Sequence, residues 1–424
     1  MNSRLKTNLW VAYIGALLTW GVLAYAMIGD ELRAGRLFAF EKDGRPFISD
    51  FVNIYNAAVL AKRCAVEPTD IYSPELQAES AAKLTFPVKA EEPFYLQVPP
   101  YFFAVVRPLA EGSIVTAWWI WCVGSVLALG YAMKLLIFDS IEGKFTRAVA
   151  VIATFAAFPE WEGIRSGNFS LWLAPGIILM WCWILQRPIA GALASCVALV
   201  KIQYLPIAAV TGLILGGKKF FATLALSTLI LLVIAVAGVG LNNVLEFPAA
   251  LVNSMHSSQI SGVAANEMQN LRGELVLLTG SDGKIVNILS LVGLAAAVVS
   301  VALLWMRRDR AADGADFKLR ASITTLLLLA ASPHTHKHDY VIAVIPAVWL
   351  WSICSTKPGV SPKLKRCIES AIISFPLLSW IFFVLEPLFH YIFIQPYFLW
   401  CLFLLGVSIP LLKKPTQSPD APVL

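Results

Sequence analysis

Long runs of apolar residues, separated by short polar breaks, dominate the pattern along the chain. A membrane-crossing helix needs about 20 apolar residues, and lipid tolerates only backbone whose hydrogen bonds close within the segment or a closed barrel. The pattern therefore predicts an all-α integral membrane protein with about twelve transmembrane helices. The predicted spans are residues 9–28, 113–136, 146–159, 169–185, 189–203, 204–216, 219–240, 284–305, 319–333, 340–355, 367–385 and 390–412.

The charges of the short loops predict which side of the membrane each loop faces. Lys and Arg collect in cytoplasmic loops, and with a cytoplasmic amino terminus every even-numbered span ends at a basic loop. These loops are residues 137–145 with Arg147, Arg187 with its neighbours, Lys218 and Lys219, residues 306–320, 357–366 and 413–414. We therefore predict a multi-pass protein of the inner (plasma) membrane with its amino terminus in the cytoplasm.

Two of the apolar runs allow a second interpretation. The run from Arg187 to Lys218 fits one long tilted helix or two short ones, and a single helix would invert every later loop. We predict a helical hairpin that turns near Lys201, because it keeps the basic loops on one side. The first run contains Ala24-Tyr25-Ala26, a pattern that signal peptidase cleaves, but its length of about 20 residues favours an uncleaved helix.

Two longer polar segments, residues 29–112 and 241–283, fall on the outer side of a single domain that covers residues 1–424. In the first segment, Phe51 to Cys64 and Ser73 to Leu84 repeat apolar residues at helical spacing, and Ser73-Pro74 is a typical helix start. Pro99 to Leu109 is apolar but too short to cross a bilayer. We predict that all three lie as short helices at the membrane surface.

Composition agrees with a membrane environment and excludes other classes. The chain is 58% hydrophobic and 14% charged, with a mean hydropathy of +0.71. Loop lysines and arginines account for the net charge of +6, and no basic stripe alternates with stacking aromatics, so we predict no nucleic-acid partner. The seven cysteines are scattered without the spacing of a zinc site or a disulfide framework.

Asp50 is a candidate general base on the outer side, about twenty residues beyond the first span. A carboxylate at this depth can accept the proton of an acceptor hydroxyl while the bond to an activated sugar breaks. Asp is also a common cap of a helix amino terminus. The spacing alone does not decide between these two roles.

His334, His336 and His338 alternate directly before Asp339, where spans nine and ten meet on the outer side. Alternate residues of an extended segment share one side, which would also suit a metal. Because a second set of ligands is absent from the pattern, contact with a phosphate or hydroxyl is the stronger hypothesis. Ordinary packing at the membrane edge remains the third alternative.

Three cations are predicted to face the same side as these groups. Arg165 and Arg272 carry guanidinium groups whose forked geometry matches the paired oxygens of a phosphate, and Lys201 adds a point charge. Each alone is also typical of a side chain that reaches lipid headgroups. Glu160 and Glu162 are two residues apart and should point in different directions, which argues against a hydrolase with paired carboxylates.

Read in order, the outer motifs resemble glycosyltransferase family 87, the polyprenol-phosphate-mannose-dependent mannosyltransferases of the GT-C superfamily. The resemblance covers nearly the whole chain, and it rests on the order and spacing of several weak motifs. These are Ser49-Asp50-Phe51, Tyr55-Asn56-Ala57-Ala58, Asp70-Ile71-Tyr72, Pro99-Pro100, Pro108-Leu109, Gly167-Asn168, Lys201, Ser332-Pro333 and His338-Asp339.

The resemblance implies a membrane enzyme that transfers a hexose, with mannose expected, from a polyprenyl-phosphate donor to a lipid, glycan or protein hydroxyl with inversion. It implies Asp50 as the catalytic base and His338 as a second catalytic residue. We expect the substrates to be bound by Arg165, Asn168, Lys201, Arg272, His336 and Asp339, with no metal-binding residues assigned. The polyprenyl-phosphate sugar is the donor substrate and no other cofactor is expected, while the need for a divalent metal stays open. Family members often have Gly-Gln in place of Gly167-Asn168 and an aromatic residue in place of His336, so substrate preference is expected to differ.

Two other classes compete with this interpretation. A transporter or lipid flippase would place ionisable residues and broken helices near mid-membrane, whereas this chain keeps most ionisable residues at the ends of spans. A non-catalytic partner in a cell-envelope complex would consume no donor at all.

Overall fold

The computed structural model describes residues 50–86, 95–96, 98–256, 265–307, 314–357 and 359–412. Before residue 50 it describes only Tyr13, Ile14, Gly21, Gly29, Arg33, Arg36, Leu37, Phe40 and Glu41. The predicted first span, residues 9–28, thus lies almost entirely outside the described residues.

Within those ranges the fold is helical, apart from one antiparallel pair of two-residue strands, β1 (Arg36–Leu37) and β2 (Phe40–Glu41). The helices are α1 (Asp50–Cys64), α2 (Pro74–Thr85), α3 (Pro100–Val106), α4 (Ile114–Phe138), α5 (Lys144–Ala156), α6 (Phe158–Ser166), α7 (Ser170–Trp183), α8 (Pro188–Ser195), α9 (Leu205–Val239), α10 (Leu241–His256), α11 (Leu271–Thr279), α12 (Lys284–Met306), α13 (Gly314–Ala331), α14 (Val344–Thr356), α15 (Pro362–Val384), α16 (Glu386–Tyr391) and α17 (Pro396–Ser408). Six 3-10 helices lie between or after them: Arg107–Glu111, Cys196–Leu199, Ile202–Tyr204, Ala265–Glu267, Lys337–Ala343 and Ile409–Leu412.

Five helical stretches are long and apolar enough to cross a membrane, which makes this a multi-pass membrane protein. They are Ile114–Phe138, Ile202–Val239, Lys284–Met306, Lys337–Thr356 and Pro362–Val384, and three shorter apolar stretches accompany them. Helices also occupy the other predicted spans from residue 146 onward. By length and composition these others do not qualify as crossings, so the number twelve stays a prediction.

Two breaks divide apolar runs of the sequence. Gly217 has φ 62° and ψ −155°, which interrupts α9 beside Lys218 and Lys219. Ala157 has an extended backbone between α5 and α6, because Pro159 lacks the N–H and the space that a continuing helix requires. The run from Arg187 to Lys218 likewise forms α8, two 3-10 turns around Lys201 and the first half of α9, so it is not one long helix.

Loops predicted to share a side of the membrane contact one another. On the basic side, Lys318 Nζ donates to the carbonyl of Asp139 at 3.1 Å and Lys357 Nζ to that of Leu411 at 2.7 Å. On the opposite side, Asn243 Nδ2 donates to the carbonyl of Thr69 at 2.8 Å. Each contact joins two segments that are predicted to lie on one side of the membrane, and the orientation of the chain stays a prediction.

The short helices of the first outer segment form where predicted, but α1 and α3 are more buried than surface helices, whereas most of α2 is exposed or half-buried. Nine of the fifteen residues of α1 are buried, and Phe51 packs 6.2 Å from the ring of Trp121 on α4. Helix α2 begins as predicted, with Ser73 Oγ accepting from the N–H of Leu76 at 3.2 Å. Helix α1 is therefore fixed against a long apolar helix, and its first residue, Asp50, is held in place with it.

Glu160 on α6 lines an apolar cavity of about 100 Å³ between α5, α14 and α15. It is 3% exposed, and its Oε2 atom has no hydrogen-bond partner among the described residues. Burial raises the pKa of Glu160 well above the ordinary 4.5, so its surroundings favour the neutral carboxyl group. Glu162 instead forms an ion pair with Arg165, as expected if the two carboxyls point in different directions.

We expect Glu160→Gln to stabilise the protein at pH 8 and to change its stability little at pH 4. A carboxyl whose pKa is raised on folding binds more protons in the folded state, so stability falls as pH rises above about 4.5. Glutamine has no proton to lose in this range, so it removes the fall in stability with rising pH, and it keeps the side-chain volume. Thermal unfolding in detergent across this pH range measures the effect. Glu162→Gln, which breaks the ion pair with Arg165, should instead destabilise the protein at pH 8. Equal curves of stability against pH for Glu160→Gln and wild type would refute the raised pKa of Glu160.

Candidate active site

Four separate parts of the chain bring polar side chains together at one end of the helical bundle. Asp50 lies in the first turn of α1, Asn168 and Ser170 lie where α6 turns into α7, Lys201 lies in the turn after α8, and Asp339 lies in the 3-10 helix Lys337–Ala343. Continuous hydrogen bonds connect all five side chains. We call these five residues the polar cluster.

Asp50 is held by the amide of Asn168. Asn168 Nδ2 donates to Asp50 Oδ2 at 2.7 Å, across 118 positions of the sequence. The backbone N–H of Ser170 approaches the other amide atom at 2.8 Å; because an N–H only donates, that atom is the oxygen and the NH₂ group faces Asp50. Asp50 is a half-buried helical residue in α1, and its carboxylate contacts a distant segment instead of serving only its own helix.

Lys201 and Asp339 form a buried ion pair beside Asn168. Asp339 is fully buried and the Lys201 side chain is 14% exposed. Asp339 Oδ1 accepts from Lys201 Nζ and from Ser170 Oγ, and its Oδ2 accepts from the N–H of His336 at 3.0 Å. Both oxygens of the Asp339 carboxylate thus accept hydrogen bonds, which suits a residue that holds Lys201 in place.

The three histidines lie on one side of the loop, as predicted. The rings of His334 and His336 are 4.8 Å apart and those of His336 and His338 are 5.4 Å apart. All three histidines are half-buried. His338 Nε2 lies 4.0 Å from Asp339 Oδ2, which is longer than a hydrogen bond.

Burial keeps two of these imidazoles neutral. It is the main cause that lowers the pKa of His336 to about 3 and that of His334 well below its usual range, and neighbouring positive charges add to the effect. Neutral imidazoles can bind a hydroxyl or a phosphate oxygen through a single N–H but supply no fixed charge. Among the described residues, no three His, Cys, Asp or Glu side chains are arranged to hold a metal ion.

Neighbouring segments hold the histidine loop rigidly. Gln203 Nε2 donates to the carbonyl of His334 at 3.2 Å, and Tyr204 and Thr335 share a hydrogen bond between their hydroxyls at 3.1 Å. On the other side, the N–H of Gln269 donates to the carbonyl of Thr335 at 2.8 Å, and Asn270 Nδ2 to that of Ser332 at 2.8 Å. Gln269 and Asn270, which belong to the second outer segment, therefore help to fix the histidine loop.

The two predicted arginines each form an ion pair close to their own position in the chain. Arg165 donates through Nε and Nη2 to both oxygens of Glu162, at 3.0 Å each. Arg272 donates to both oxygens of Asp282 at 2.8 and 3.0 Å, and its buried Nε has no partner among the described residues. Arg272 lies close enough to His334 to contribute to the lowering of that pKa, so its charge reaches the histidine loop.

Gly167 fixes the distance between α1 and the turn that carries Asn168. It ends α6 in the left-handed conformation, with φ 66°, and its carbonyl accepts from Trp121 Nε1 at 2.8 Å. A Cβ atom at this position would lie 2.7 Å from Cβ of Phe51, the residue next to Asp50. The close approach of the two backbones therefore requires glycine here.

We expect Gly167→Ala to lower transfer by about 100-fold, because a shift of about 1 Å at a reacting group can cost that much. The clash with Phe51 would move Asp50 relative to Asn168. Steady-state transfer rates and melting temperature in detergent measure the two effects.

Gly280 provides the matched control. It also ends a helix in the left-handed conformation, with φ 63°, but nothing lies within 4 Å of an added Cβ. Gly280→Ala should cost only backbone strain, about 1 kcal/mol, and should leave transfer unchanged. Equal effects of the two substitutions on transfer would show that contact with Phe51 is irrelevant.

The polar cluster unites Asp50, Asn168, Lys201 and Asp339, four of the predicted site residues, with His336 and His338 beside it. Arg165 and Arg272 are tied to local carboxylates at its edge. Ser170 was not predicted, although it contacts three members of the cluster. Only its position two residues after Asn168, at the start of an apolar run, points to it in the sequence.

Comparison with known proteins gives one match. A family model described as Glycosyltransferase family 87 matches residues 97–333, which is more than half of the chain. The match includes Asn168, Ser170, Lys201 and Arg272, and it excludes Asp50 and the residues after Pro333. No curated protein and no solved structure matches the chain.

Proposed function

The chain belongs to glycosyltransferase family 87 and is a membrane glycosyltransferase, and on that premise we propose that it transfers a hexose from a polyprenyl-phosphate donor to a lipid, glycan or protein hydroxyl. Mannose is the sugar that we expect. The reaction inverts the anomeric carbon and takes place on the outer face of the inner membrane, opposite the cytoplasmic amino terminus.

The observation that carries this proposal is the position of Asp50. Its carboxylate accepts a hydrogen bond from Asn168 through Oδ2 at 2.7 Å and is half-buried, so it has both a fixed orientation and access to a substrate. It lies in one network with Lys201, the cation that the predicted leaving group requires. An acid–base residue and a cation held together in this way suit the transfer of a glycosyl group from a phosphate.

In the proposed reaction, Asp50 accepts the proton of the acceptor hydroxyl while that oxygen attacks the anomeric carbon. The bond from the anomeric carbon to the phosphate oxygen breaks on the opposite side of the sugar, and its electron pair leaves with the polyprenyl phosphate. The proton remains on Asp50 until solvent removes it. A single displacement of this kind inverts the anomeric carbon.

The leaving phosphate gains negative charge, which fixed cations can stabilise. Lys201 is the best-placed candidate because Asp339 and Ser170 hold its ammonium group. Arg272 has a buried Nε–H without a hydrogen-bond partner among the described residues, and the guanidinium of Arg165 lies on the last turn of α6, before the turn of Asn168. We propose that these cations and the neutral imidazole of His336 bind the phosphate, and that His338 contacts the reacting groups.

A purified-protein assay with a donor radiolabelled in its sugar tests the proposal. With an acceptor extract present, we expect the label to leave the polyprenyl phosphate and to appear in the acceptor. A flippase would move the intact donor between leaflets of a proteoliposome, and a non-catalytic partner would leave it unchanged. Translocation of intact donor without sugar transfer, across a range of sugars and lipid lengths, would overturn the proposal.

A further inference from the structure

Ser170 is a fully buried residue that connects the two halves of the polar cluster. Its Oγ lies 2.7 Å from Asn168 Oδ1, is hydrogen-bonded to Asp339 Oδ1, and accepts from Lys201 Nζ at 3.1 Å. Its own backbone N–H donates to Asn168 Oδ1 at 2.8 Å. One residue thus contacts both the amide that holds Asp50 and the ion pair that contains Lys201.

The single hydroxyl proton of Ser170 couples the hydrogen bond to Asn168 with the ion pair of Lys201 and Asp339. A serine hydroxyl has one proton to donate and two lone pairs, whereas both Asn168 Oδ1 and Asp339 Oδ1 are acceptors. The hydroxyl can donate to only one of them at a time, and the Lys201 ammonium group occupies a lone pair. A change in charge at Asp339 or Lys201 therefore alters the hydrogen bond that Ser170 offers to Asn168.

We propose that Ser170 is a positioning residue. It fixes the position of Lys201, the cation for the leaving phosphate, relative to Asp50, the base for the acceptor hydroxyl. It touches neither substrate. Its hydroxyl fixes the Lys201–Asp339 pair against Asn168, and Asn168 passes that position on to the Asp50 carboxylate through Nδ2. This inference rests on the proposed function, because it needs Asp50 to be the base.

Loss of the Ser170 hydroxyl should affect the rate of the reaction more than the binding of the substrates. When the hydroxyl of Ser170 is removed, Asn168 Oδ1 loses one of its two contacts with Ser170, and the hydrogen bond from Asn168 to Asp50 weakens. The Asp50 carboxylate and the Lys201 ammonium group then lose their fixed relative position, so kcat should fall.

The test compares Ser170→Ala and Ser170→Cys with a matched control, Ser125→Ala. Ser125 is equally buried, but among the described residues its hydroxyl bonds only to the carbonyl of Cys122 in its own helix, at 2.9 Å. We expect kcat to fall by about 10- to 100-fold in both Ser170 variants, the range for a lost hydrogen bond to a charged group. The KM for the acceptor should change less than kcat.

Ser170→Cys keeps the side-chain volume and replaces the hydroxyl with a weakly hydrogen-bonding thiol, so it remains informative if Ser170→Ala does not fold. A folded Ser170 variant with the kcat of Ser125→Ala overturns the inference. If Asp50→Asn is inactive in the same assay, that result leaves the proposed function standing. If Asp50→Asn transfers sugar at the wild-type rate, Asp50 is not the base, and the inference on Ser170 is overturned together with that part of the proposed function.

Discussion

Asp50→Asn should lower transfer of sugar by about 100- to 10,000-fold, the range that a positioned general base supplies. Asparagine has the same shape as aspartate, and its amide oxygen can accept the hydrogen bond from Asn168 Nδ2 that Asp50 Oδ2 now accepts at 2.7 Å. The fold should therefore persist while the capacity to take a proton is lost. The rate of transfer from a radiolabelled lipid donor, measured beside the melting temperature in detergent, checks both expectations.

Asp70 offers a matched control for this substitution. It lies in the same outer segment, where its carboxylate accepts from the backbone N–H groups of Tyr72 and Ser73 at 2.9 and 3.1 Å, outside the polar cluster. Asp70→Asn should keep nearly full transfer. An Asp50→Asn variant that is as active as Asp70→Asn would remove Asp50 from the role of base.

Lys201→Met should destabilise the protein by about 3–5 kcal/mol, because it leaves a buried carboxylate without its counter-ion. Asp339 is fully buried and has no access to solvent that could replace the ammonium group. Transfer should fall as well, since the leaving phosphate loses its nearest cation. Unfolding in detergent measures the loss of stability. The transfer rate, taken at a temperature where the variant is folded, measures the loss of activity separately.

The double variant Lys201→Met with Asp339→Leu separates stability from function. Replacing both partners of a buried ion pair with apolar residues often restores stability, so part of the lost stability should return while transfer stays low. The exposed pair of Lys83 with Glu79, whose side chains are 71% and 58% exposed, is the control; Lys83→Ala should change stability by less than about 1 kcal/mol. A double variant with restored transfer would mean that the charge of Lys201 is not needed for the reaction.

The positions of the helices could largely be predicted from the sequence, because apolar runs and start signals such as Ser73-Pro74 act locally. The break at Gly217 falls between the predicted spans 204–216 and 219–240. The break at Ala157 was not predicted, because residues 146–159 were predicted as one span. Pro159 is visible in the sequence, but proline also occurs inside membrane helices. The burial of α1 was missed for a related reason: an amphipathic pattern is the same on a membrane surface and against Trp118 and Trp121.

The polar cluster was predictable only in part. Asp50, Asn168, Lys201 and Asp339 belong to motifs that stand out between apolar runs, and their order indicates a common side. The pairing of Arg272 with Asp282 depends on how α11 packs, and the role of Ser170 depends on four segments meeting in space. A single serine in an apolar run carries no signal of such contacts, since most buried serines bond to their own helix, as Ser125 does.

The structure of the Asp50→Asn variant with a bound polyprenyl-phosphate sugar, determined by electron cryo-microscopy, tests the central claim most directly. We expect the sugar's anomeric carbon beside residue 50 and the lipid phosphate within hydrogen-bond distance of Lys201, Arg272 or Arg165. A donor bound elsewhere, for example in the apolar cavity at Glu160 with its phosphate away from Lys201 and both arginines, would contradict it.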